Sequence, residues 1–284
     1  MKKKNILTIL ATLCMLTGFV LLFYPDLSNL QKSLSHGAIL REYDRMVAEL
    51  APEQIDYQLR RAAIHNAHLG SLNTSMPLLL GDRAPLPEDY EQTLYVQGVM
   101  AWLDIPVINL SLPVFHGSGP EILERGVGHL EGTAFPTGGY STHSALTTHS
   151  GLSHARFFTD LELLNYGDIF FISVLGQRLA YQVDQITIIL PHEIEWLRVA
   201  PGKDFMTLIT CTPYAINSHR LLVRGERIPY VQYMAEEIAP IAVPTGLGMR
   251  ASIFAAFILI NLYLWRAGRR PHKHIQQAEP DTEI

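Results

Sequence analysis

The chain has very little cysteine, with two among 284 residues. Cys14 lies inside an apolar run near the N-terminus, so Cys211 has no disulfide partner in any domain that folds outside that run. An unpaired thiol facing an oxidising exterior is a liability unless its chemistry is used. Cys211 is therefore a candidate functional residue, and the alternative is a structural cysteine buried in a core.

Charge is missing from the N-terminal run Ile6–Tyr24. A helix of this length spans the ~30 Å hydrocarbon core of a bilayer. The lysines of residues 1–5 precede it, which predicts a transmembrane helix over residues 6–24 with residues 1–5 in the cytoplasm. A cleaved signal peptide begins in the same way, but the following Tyr-Pro-Asp-Leu has no small-x-small cleavage site. An uncleaved anchor is the favoured interpretation.

A second run without charge, Ala251–Trp265, lies near the C-terminus. With the preceding residues it predicts a transmembrane helix over 247–265, with Arg250 reaching the outer boundary. The tail 266–284 begins with a basic cluster, so both chain ends are expected in the cytoplasm and residues from about 25 to 245 outside the cell. A buried core helix is the alternative, but the run has no polar face. The prediction is a two-pass protein of the cell membrane.

The outer segment is poor in basic residues, with 14 Lys and Arg against 24 Asp and Glu. This negative charge opposes a nucleic acid partner. A single outer cysteine suits a Gram-positive cell surface better than a disulfide-rich secreted protein. The histidines have no metal-like spacing with carboxylates or cysteines, so a metal is not expected. No other cofactor is expected either.

Residues 25–94 are predicted to be a helical region. Leu30–Leu69 is rich in helix formers with apolar residues at helical spacing, and Pro52 should divide it into two helices. Gly70–Asp89 contains several prolines and glycines without a clear period. A loop of about twenty residues inside a compact domain is usually functional or disordered. We therefore predict a lid-like loop over about 70–92.

From Tyr95 onward the sequence shows the pattern of short strands, and we place a β domain over 95–235 with a linker at 236–246. Many short strands separated by Gly and Pro turns favour a barrel or sandwich over a βαβ layout. The predicted strands are Ile105–Leu112, Ser144–Thr148, Asp168–Val174, Arg178–Leu190, Met206–Thr212 and His219–Arg227, and the predicted short helices are Pro120–Arg125 and Phe157–Leu164.

Cys211 ends one predicted strand, and Arg220 lies on the next. The loop between them is long enough for the second strand to return antiparallel, so that the two side chains can face each other. A cationic side chain beside a thiol favours the thiolate, which is the nucleophilic form of cysteine. The alternative for Arg220 is an ordinary surface ion pair with Glu226 or Asp184.

A proton carrier is also needed, and His149 follows a separate strand. The sequence pattern alone does not select it from the other outer histidines, of which His143, His154, His192 and His219 are competitors. Since His219 and Arg220 are adjacent on a strand, their side chains should point to opposite faces. If Arg220 faces the cysteine, His219 should not.

Residues Leu208–Gly225 read LITCTPYAINSHRLLVRG. This block resembles the cysteine block of sortases, particularly the class C, pilus-assembling type. Further blocks match in the family's order: Ile105–Ile108 with Leu112–Val114, Gly126–Thr133, Thr147–Leu152, and Phe158–Leu161 with Gly167–Asp168. The resemblance covers about Tyr95–Tyr230 and includes the two-anchor layout.

The resemblance implies a mainly β fold, an eight-stranded sortase-type β-barrel with short helices, preceded by N-terminal helices and flanked by two transmembrane helices. It implies that Cys211 is the nucleophile, His149 the proton-transferring partner and Arg220 the oxyanion-stabilising cation. The implied reaction is cleavage of an LPXTG-like sorting signal at the Thr-Gly bond through a thioacyl intermediate, and transfer to a lysine amine of a pilin. LPXTG-bearing pilins or surface proteins, the acceptor lysine and the membrane are then the expected partners.

Neighbours of the catalytic blocks, Thr210, Thr212 and Ser150, are candidate substrate-binding residues. Class C sortases also carry a lid, commonly with an Asp-Pro-aromatic motif. In this chain Asp82 and Arg83 are the lid candidates, but no aromatic residue stands beside the aspartate.

Two other functions use the same features. A thiol peptidase would hydrolyse the same signal with the same three residues, because the choice between amine and water depends on the shape of the pocket. A non-catalytic membrane scaffold could instead hold pilins in register.

Overall fold

The structure is a computed structural model that describes residues 2–71, 87–151, 155–193, 195–230, 238, 240 and 247–268. The chain divides into two compact units. One consists of Met1–Tyr24 together with Pro244–Ile284, and the other of Pro25–Val243. The second unit contains all the strands described below and the candidate site.

Eight strands close into one barrel, in the spatial order β1-β2-β3-β4-β7-β8-β6-β5. Two neighbouring pairs, β2/β3 and β4/β7, are parallel, and the other six are antiparallel. The predicted eight-stranded barrel is confirmed as a mixed barrel. The strands are β1 Ala101–Ile105, β2 Leu110–His116, β3 Val127–His129, β4 Thr142–Thr147, β5 Ile169–Val174, β6 Gln177–Ile189, β7 Asp204–Thr212 and β8 His219–Ile228.

The barrel interior is filled by large apolar side chains, because successive residues of a strand point to opposite faces of the sheet. Met206 and Leu208 of β7 are fully buried there beside Phe170, Tyr181 and Val223. Burial of apolar surface of this kind contributes about 25 cal/mol per Å². Because Met206 and Leu208 point into the barrel, Ile209 and Cys211 of the same strand point outward.

One predicted strand is wrong. Ile105–Leu112 is not a continuous strand but the turn between β1 and β2, where Pro106–Ile108 forms a 3-10 turn. Asn109 ends that turn in the left-handed conformation, with φ of 51°. Val107 and Ile108 are buried because the turn packs against the core. Their apolar, β-branched character therefore imitates the pattern of a strand.

The remaining predicted strands correspond to observed ones, with ends shifted by a few residues, and the predicted helix at Pro120 is α3. The short β1 and β3 were not predicted as strands. The helices are α1 Lys2–Glu49, α2 Pro52–Ser71, α3 Pro120–Leu123 and α4 Leu247–Gly268, with 3-10 helices at Tyr90–Gln92, Pro106–Ile108, Phe157–Leu163 and Glu195–Leu197.

The predicted division of the helical region is confirmed, since α1 ends at Glu49 and α2 begins with Pro52. Proline lacks an N–H and is tolerated in the first turn of a helix. The first helix differs from the prediction, however, because α1 begins long before Leu30 and continues through Pro25. The N-terminal apolar run and the helix that follows it are one element.

Both long helices are attached to the barrel by buried polar contacts. Leu175 donates its backbone N–H to the hydroxyl of Tyr43 at 3.0 Å. The Asn66 side chain bonds both the N–H and the carbonyl of Phe135, at 2.7 and 3.0 Å. These contacts agree with the division of the chain, in which the part of α1 after residue 24 and all of α2 belong to the unit Pro25–Val243.

Among the described residues, one helical stretch, Thr12–Glu49 within α1, is long and apolar enough to cross a membrane by length and composition. The second apolar run forms the helix α4, of 22 residues.

Candidate active site

Strands β7 and β8 bring the predicted nucleophile and cation together. In their antiparallel register Cys211 pairs directly with Arg220, and Thr212 pairs with His219. Side chains of directly paired residues leave the sheet on the same face, with Cβ atoms about 4.5–5.5 Å apart. The predicted return of the chain is confirmed. Cys211 is a free thiol and is half-buried.

The connection from Pro213 to Ser218 returns the chain tightly. Ile216 and Asn217 both donate their N–H groups to the carbonyl of Pro213, at 3.1 and 3.0 Å. Arg220 Nη1 then donates to the carbonyls of Asn217 and His219, at 3.1 and 3.0 Å. The loop thus fixes the guanidinium at the end of the barrel where the cysteine lies.

Parallel pairing of β4 with β7 places His149 at the same end. Thr147 pairs with Ile209 in this ladder. His149 comes two residues after Thr147, just as Cys211 comes two residues after Ile209, so both residues lie at the same end of this ladder. Thr148 donates its N–H to the carbonyl of Ile209 at 3.3 Å, and Thr210 Oγ1 donates to the carbonyl of Thr148 at 2.9 Å. Pairing therefore continues beyond the end of β4 towards the site.

The loops that follow His149 and Cys211 touch each other. Ser150 Oγ donates to the carbonyl of Cys211 at 2.5 Å. Gly151 has φ of +75°, and a Cβ there would lie 3.1 Å from the ring of Tyr214. Glycine meets both the left-handed backbone and the close approach of that ring. These contacts join the loop after His149 to the loop after Cys211.

The 3-10 helix Phe157–Leu163 supports the histidine from behind. Phe158 donates its N–H to the carbonyl of His149 at 3.1 Å. Thr159 Oγ1 accepts the N–H of Gly151 at 3.0 Å. Phe157 and Phe158 are both buried, so this helix is anchored in the core.

A shallow cleft opens at the cysteine. Its walls come from β7 and β8, from the 3-10 helix and from the loops after His149 and Cys211. The lining residues are Ser150, Phe158, Thr159, Glu162, Thr210, Cys211, Thr212, Tyr214 and Leu221. Thr159, Glu162, Tyr214 and Leu221 were not found from the sequence pattern, because only the packing of separate segments brings them to the cysteine.

Arg220 does not form the surface ion pair considered as an alternative. Asp184 is bound by Arg224, with Nη2 at 2.7 Å, and Glu226 by Lys203 Nζ at 2.6 Å. Among the described residues, no carboxylate forms a salt bridge with Arg220. Its guanidinium is bonded to backbone carbonyls and is only half-buried, so it can still meet an anionic group of a substrate.

The other histidines differ from His149 in their surroundings. His143 is buried, with Nδ1 2.9 Å from the Arg198 carbonyl and Nε2 2.7 Å from Thr207 Oγ1. His219 pairs with Thr212 rather than with the cysteine, and its Nδ1 lies 2.9 Å from Ser218 Oγ. His192 is exposed in the connection after β6. His154 lies outside the described residues.

The buried His143 predicts a pH-dependent stability. Burial lowers its pKa from the ordinary 6.5 to about 4, because the imidazolium is costly to desolvate. Its contribution to stability is therefore present above pH 6.5 and lost as the pH falls towards 4. The free energy of unfolding should decline by up to about 1.4 kcal/mol per pH unit for this histidine.

Urea unfolding between pH 7.5 and 4.5 measures this decline. His143→Gln should reduce the slope by about one proton, whereas replacement of the exposed His68 by Gln should leave it unchanged. Equal slopes in wild type and His143→Gln would contradict the prediction.

The three candidate substrate-binding residues all line the cleft, but two of their hydroxyls are bonded within the chain. Ser150 Oγ is bonded to the Cys211 carbonyl, and Thr210 is buried with its hydroxyl on the Thr148 carbonyl. Thr212 is half-buried at the end of β7. Contact of these residues with a substrate stays a prediction.

Replacing Thr210 by valine should show how much the Thr210 hydroxyl contributes to the stability of the fold. The exchange keeps the shape but leaves the buried carbonyl of Thr148 without this donor, which should lower the free energy of unfolding by about 1–3 kcal/mol. Thr212→Val is the matched control and should change stability by less. Denaturant unfolding of both variants tests this, and equal stabilities of Thr210→Val and wild type would refute it.

A second apolar cluster lies on the outer face of the barrel. Ala145, Ile189, Ile209 and Leu222 are buried there, and the partly buried Leu130 and Leu197 pack against them. Ile209 and Leu222 are on the outer rows that also carry Cys211 and Arg220. Through Leu197, the connection between β6 and β7 packs against the outer face of the barrel, which also carries Cys211.

The lid candidates Asp82 and Arg83 lie outside the described residues, as does most of the predicted loop over 70–92. At the two ends of the predicted range the described residues are helical: Gly70 belongs to α2, and Tyr90 belongs to a 3-10 helix. Within the described ranges, no three His, Cys, Asp or Glu side chains come together as a possible metal site.

Comparison with known proteins agrees with this geometry. The Sortase domain family matches residues 103–228. Sortase A of Streptococcus agalactiae serotype III is 29% identical over 132 residues, or 45% of this chain and 52% of that protein. The match therefore spans about half the length of this relative.

Solved structures give a more complete match. Sortase C1 of pilus island 1 from group B Streptococcus has a TM-score of 0.63 and 43% identity, covering 69% of this chain and 94% of that one. Streptococcus pneumoniae sortase C has a TM-score of 0.61 and 38% identity, covering 72% and 100%. The chain belongs to the sortase family of cysteine transpeptidases, and its structural neighbours are pilus sortases of class C.

Proposed function

We propose that this protein is a membrane-anchored pilus sortase that cleaves an LPXTG-like sorting signal between Thr and Gly and joins the threonine to a lysine of a pilin. The observation that carries the proposal is the direct pairing of Cys211 with Arg220, with His149 just beyond the end of β4, the strand that pairs in parallel with the cysteine strand β7. A nucleophile, a proton carrier and a cation at one end of the barrel are what acyl transfer requires.

In the first step the Cys211 thiolate attacks the threonine carbonyl, and the Thr-Gly bond breaks to leave a thioester. The His149 imidazolium protonates the leaving glycine amine. Arg220 stabilises the oxyanion that forms before the bond breaks. Two backbone carbonyls hold its guanidinium in place. Because these partners are neutral, the guanidinium keeps its positive charge for the oxyanion.

In the second step the amine of an acceptor lysine attacks the thioester, and His149 takes the proton that the attacking nitrogen loses. Sulfur leaves as the thiolate, so the enzyme returns to its starting state. The product is an isopeptide bond between two pilins. The class of the structural neighbours supports a pilin acceptor over water.

Exposed apolar side chains on the connection between β6 and β7 offer a surface for the apolar residues of the signal. The connection between β6 and β7 is held to the outer face by Leu197. On the same connection Leu190 and Trp196 are 40% and 41% exposed. We propose that these side chains contact the leucine and proline of the signal, since burial of apolar groups favours binding.

The protein is further proposed to cross the membrane twice, with α1 and α4 as the spans. The basic residues at both chain ends support cytoplasmic termini. Cysteine, histidine and arginine would then face the cell exterior, where membrane-tethered pilins carry their sorting signals.

Mass spectrometry of a mixture of the full-length protein, an LPXTG-type peptide and a pilin acceptor tests the proposal. A transpeptidase gives the acceptor linked through threonine to its lysine. Cleaved peptide without linkage would indicate the hydrolytic alternative. Unchanged peptide, together with unaltered pilus polymerisation in Cys211→Ala cells, would indicate the scaffold alternative.

A further inference from the structure

One acidic side chain of the candidate site has no part in the chemistry described above. Glu162 is the carboxylate among the residues that line the cleft containing Cys211. Apart from the cysteine, the other lining residues are hydroxyl-bearing or apolar. We propose that Glu162 is a specificity-determining residue that binds the ammonium group of the acceptor lysine. This inference rests on the proposed function.

The backbone around Glu162 is firmly placed. It lies on the 3-10 helix Phe157–Leu163, in which Phe157, Phe158 and Leu161 are buried. The same helix bonds the catalytic loop, through the Phe158 N–H to the His149 carbonyl at 3.1 Å. Glu162 itself is exposed. The element that supports the histidine therefore also presents a carboxylate at the mouth of the cleft.

The Glu162 carboxylate differs from that of nearby Asp160 in its salt-bridge partners. Asp160 is bound by Arg156 through two nitrogens, at 2.5 and 2.8 Å. Among the described residues no cation forms a salt bridge with Glu162. Of the groups that must enter this cleft, the acceptor lysine is the one with a positive charge. A carboxylate attracts the lysine ammonium electrostatically. It does not attract a neutral nucleophile such as water to the same extent.

The proton balance is consistent with this role. The lysine arrives as an ammonium held by the Glu162 carboxylate, and it loses one proton to water to become the amine. The amine nitrogen then forms its bond to the threonine carbonyl carbon while the carbon–sulfur bond breaks. The second proton goes to His149, and the thiolate of Cys211 is released. Glu162 stays ionised throughout.

The test uses the full-length protein in detergent micelles, as wild type, Glu162→Gln and Glu162→Lys. Glu53→Gln, which removes an exposed carboxylate from α2, is the matched control. Three quantities are measured: the rate of thioacyl formation with an LPXTG-type peptide, the KM for a lysine acceptor peptide, and the release of the acyl group by hydroxylamine. Hydroxylamine is mostly uncharged at neutral pH, so it reports the second step without an ammonium.

We expect the acceptor KM to rise by up to about fivefold in Glu162→Gln, the upper end of the range for one exposed ion pair, and further in Glu162→Lys. Thioacyl formation and hydroxylamine release should match those of Glu53→Gln. High salt should raise the acceptor KM of wild type and leave that of Glu162→Gln nearly constant.

An acceptor KM in Glu162→Gln equal to that of Glu53→Gln would overturn the inference, and so would equal losses with lysine and hydroxylamine. Failure of wild type to form the thioacyl intermediate is a different result. It would refute the proposed function, and with it the acceptor role of Glu162.

Discussion

Replacing Cys211 by alanine is expected to abolish cleavage of an LPXTG-type peptide, with a loss of at least about 10⁴-fold in rate. Among the residues that line the described cleft Cys211 carries the one thiol, and a hydroxyl without an adjacent base is a far weaker nucleophile than a thiolate. The fold should be retained, since the half-buried thiol has no disulfide partner.

Fluorescence-based cleavage of a labelled peptide measures this loss. Cys14→Ala is a close control, because it removes the chain's other cysteine and lies in the apolar N-terminal run. That variant should cleave at the wild-type rate. Cleavage by Cys211→Ala at more than a few per cent of the wild-type rate would show that another group acts as the nucleophile.

Replacing Arg220 by alanine is expected to lower kcat/KM by about 10²–10³-fold, the usual cost of removing one oxyanion-stabilising donor. Arg220→Lys should recover only part of this activity, because an ammonium cannot reproduce the planar guanidinium that donates to Asn217 and His219. The loss should be larger in kcat than in 1/KM, since the oxyanion exists only in the transition state.

Arg60→Ala is the matched control for Arg220. It removes an exposed arginine whose i,i+4 partner is Asp56 on α2, and activity should be unchanged. Circular dichroism and denaturant unfolding separate loss of fold from loss of chemistry. If Arg220→Ala kept more than a third of wild-type kcat/KM, Arg220 would not be the stabilising cation.

The barrel was predictable in part from local patterns. Strands such as β7 and β8 carry long apolar, β-branched stretches that end at turn residues, and their antiparallel return follows from the short loop. The turn at Pro106–Ile108 was misread because its apolar residues are buried by packing against the core. Local pattern cannot distinguish a buried turn from a buried strand.

Local sequence pattern was also insufficient to predict the whole site. Cys211 and Arg220 were placed face to face from spacing alone, because one hairpin joins them. His149 follows β4, whose parallel pairing with β7 joins segments about sixty residues apart. No local signal predicts such a pairing, and its role was expected only from the family resemblance. Glu162 was missed for the same reason, since it reaches the cleft through the packing of a 3-10 helix.

The most direct test of the central claim is to find the acyl group on the cysteine. The full-length protein is mixed with an LPXTG-type peptide, quenched in acid, digested at low pH and analysed by tandem mass spectrometry. We predict that the peptide containing Cys211 gains the mass of the signal up to its threonine, and that hydroxylamine removes this mass. Substrate cleavage by folded protein without this adduct, or an adduct at another residue, would contradict the account.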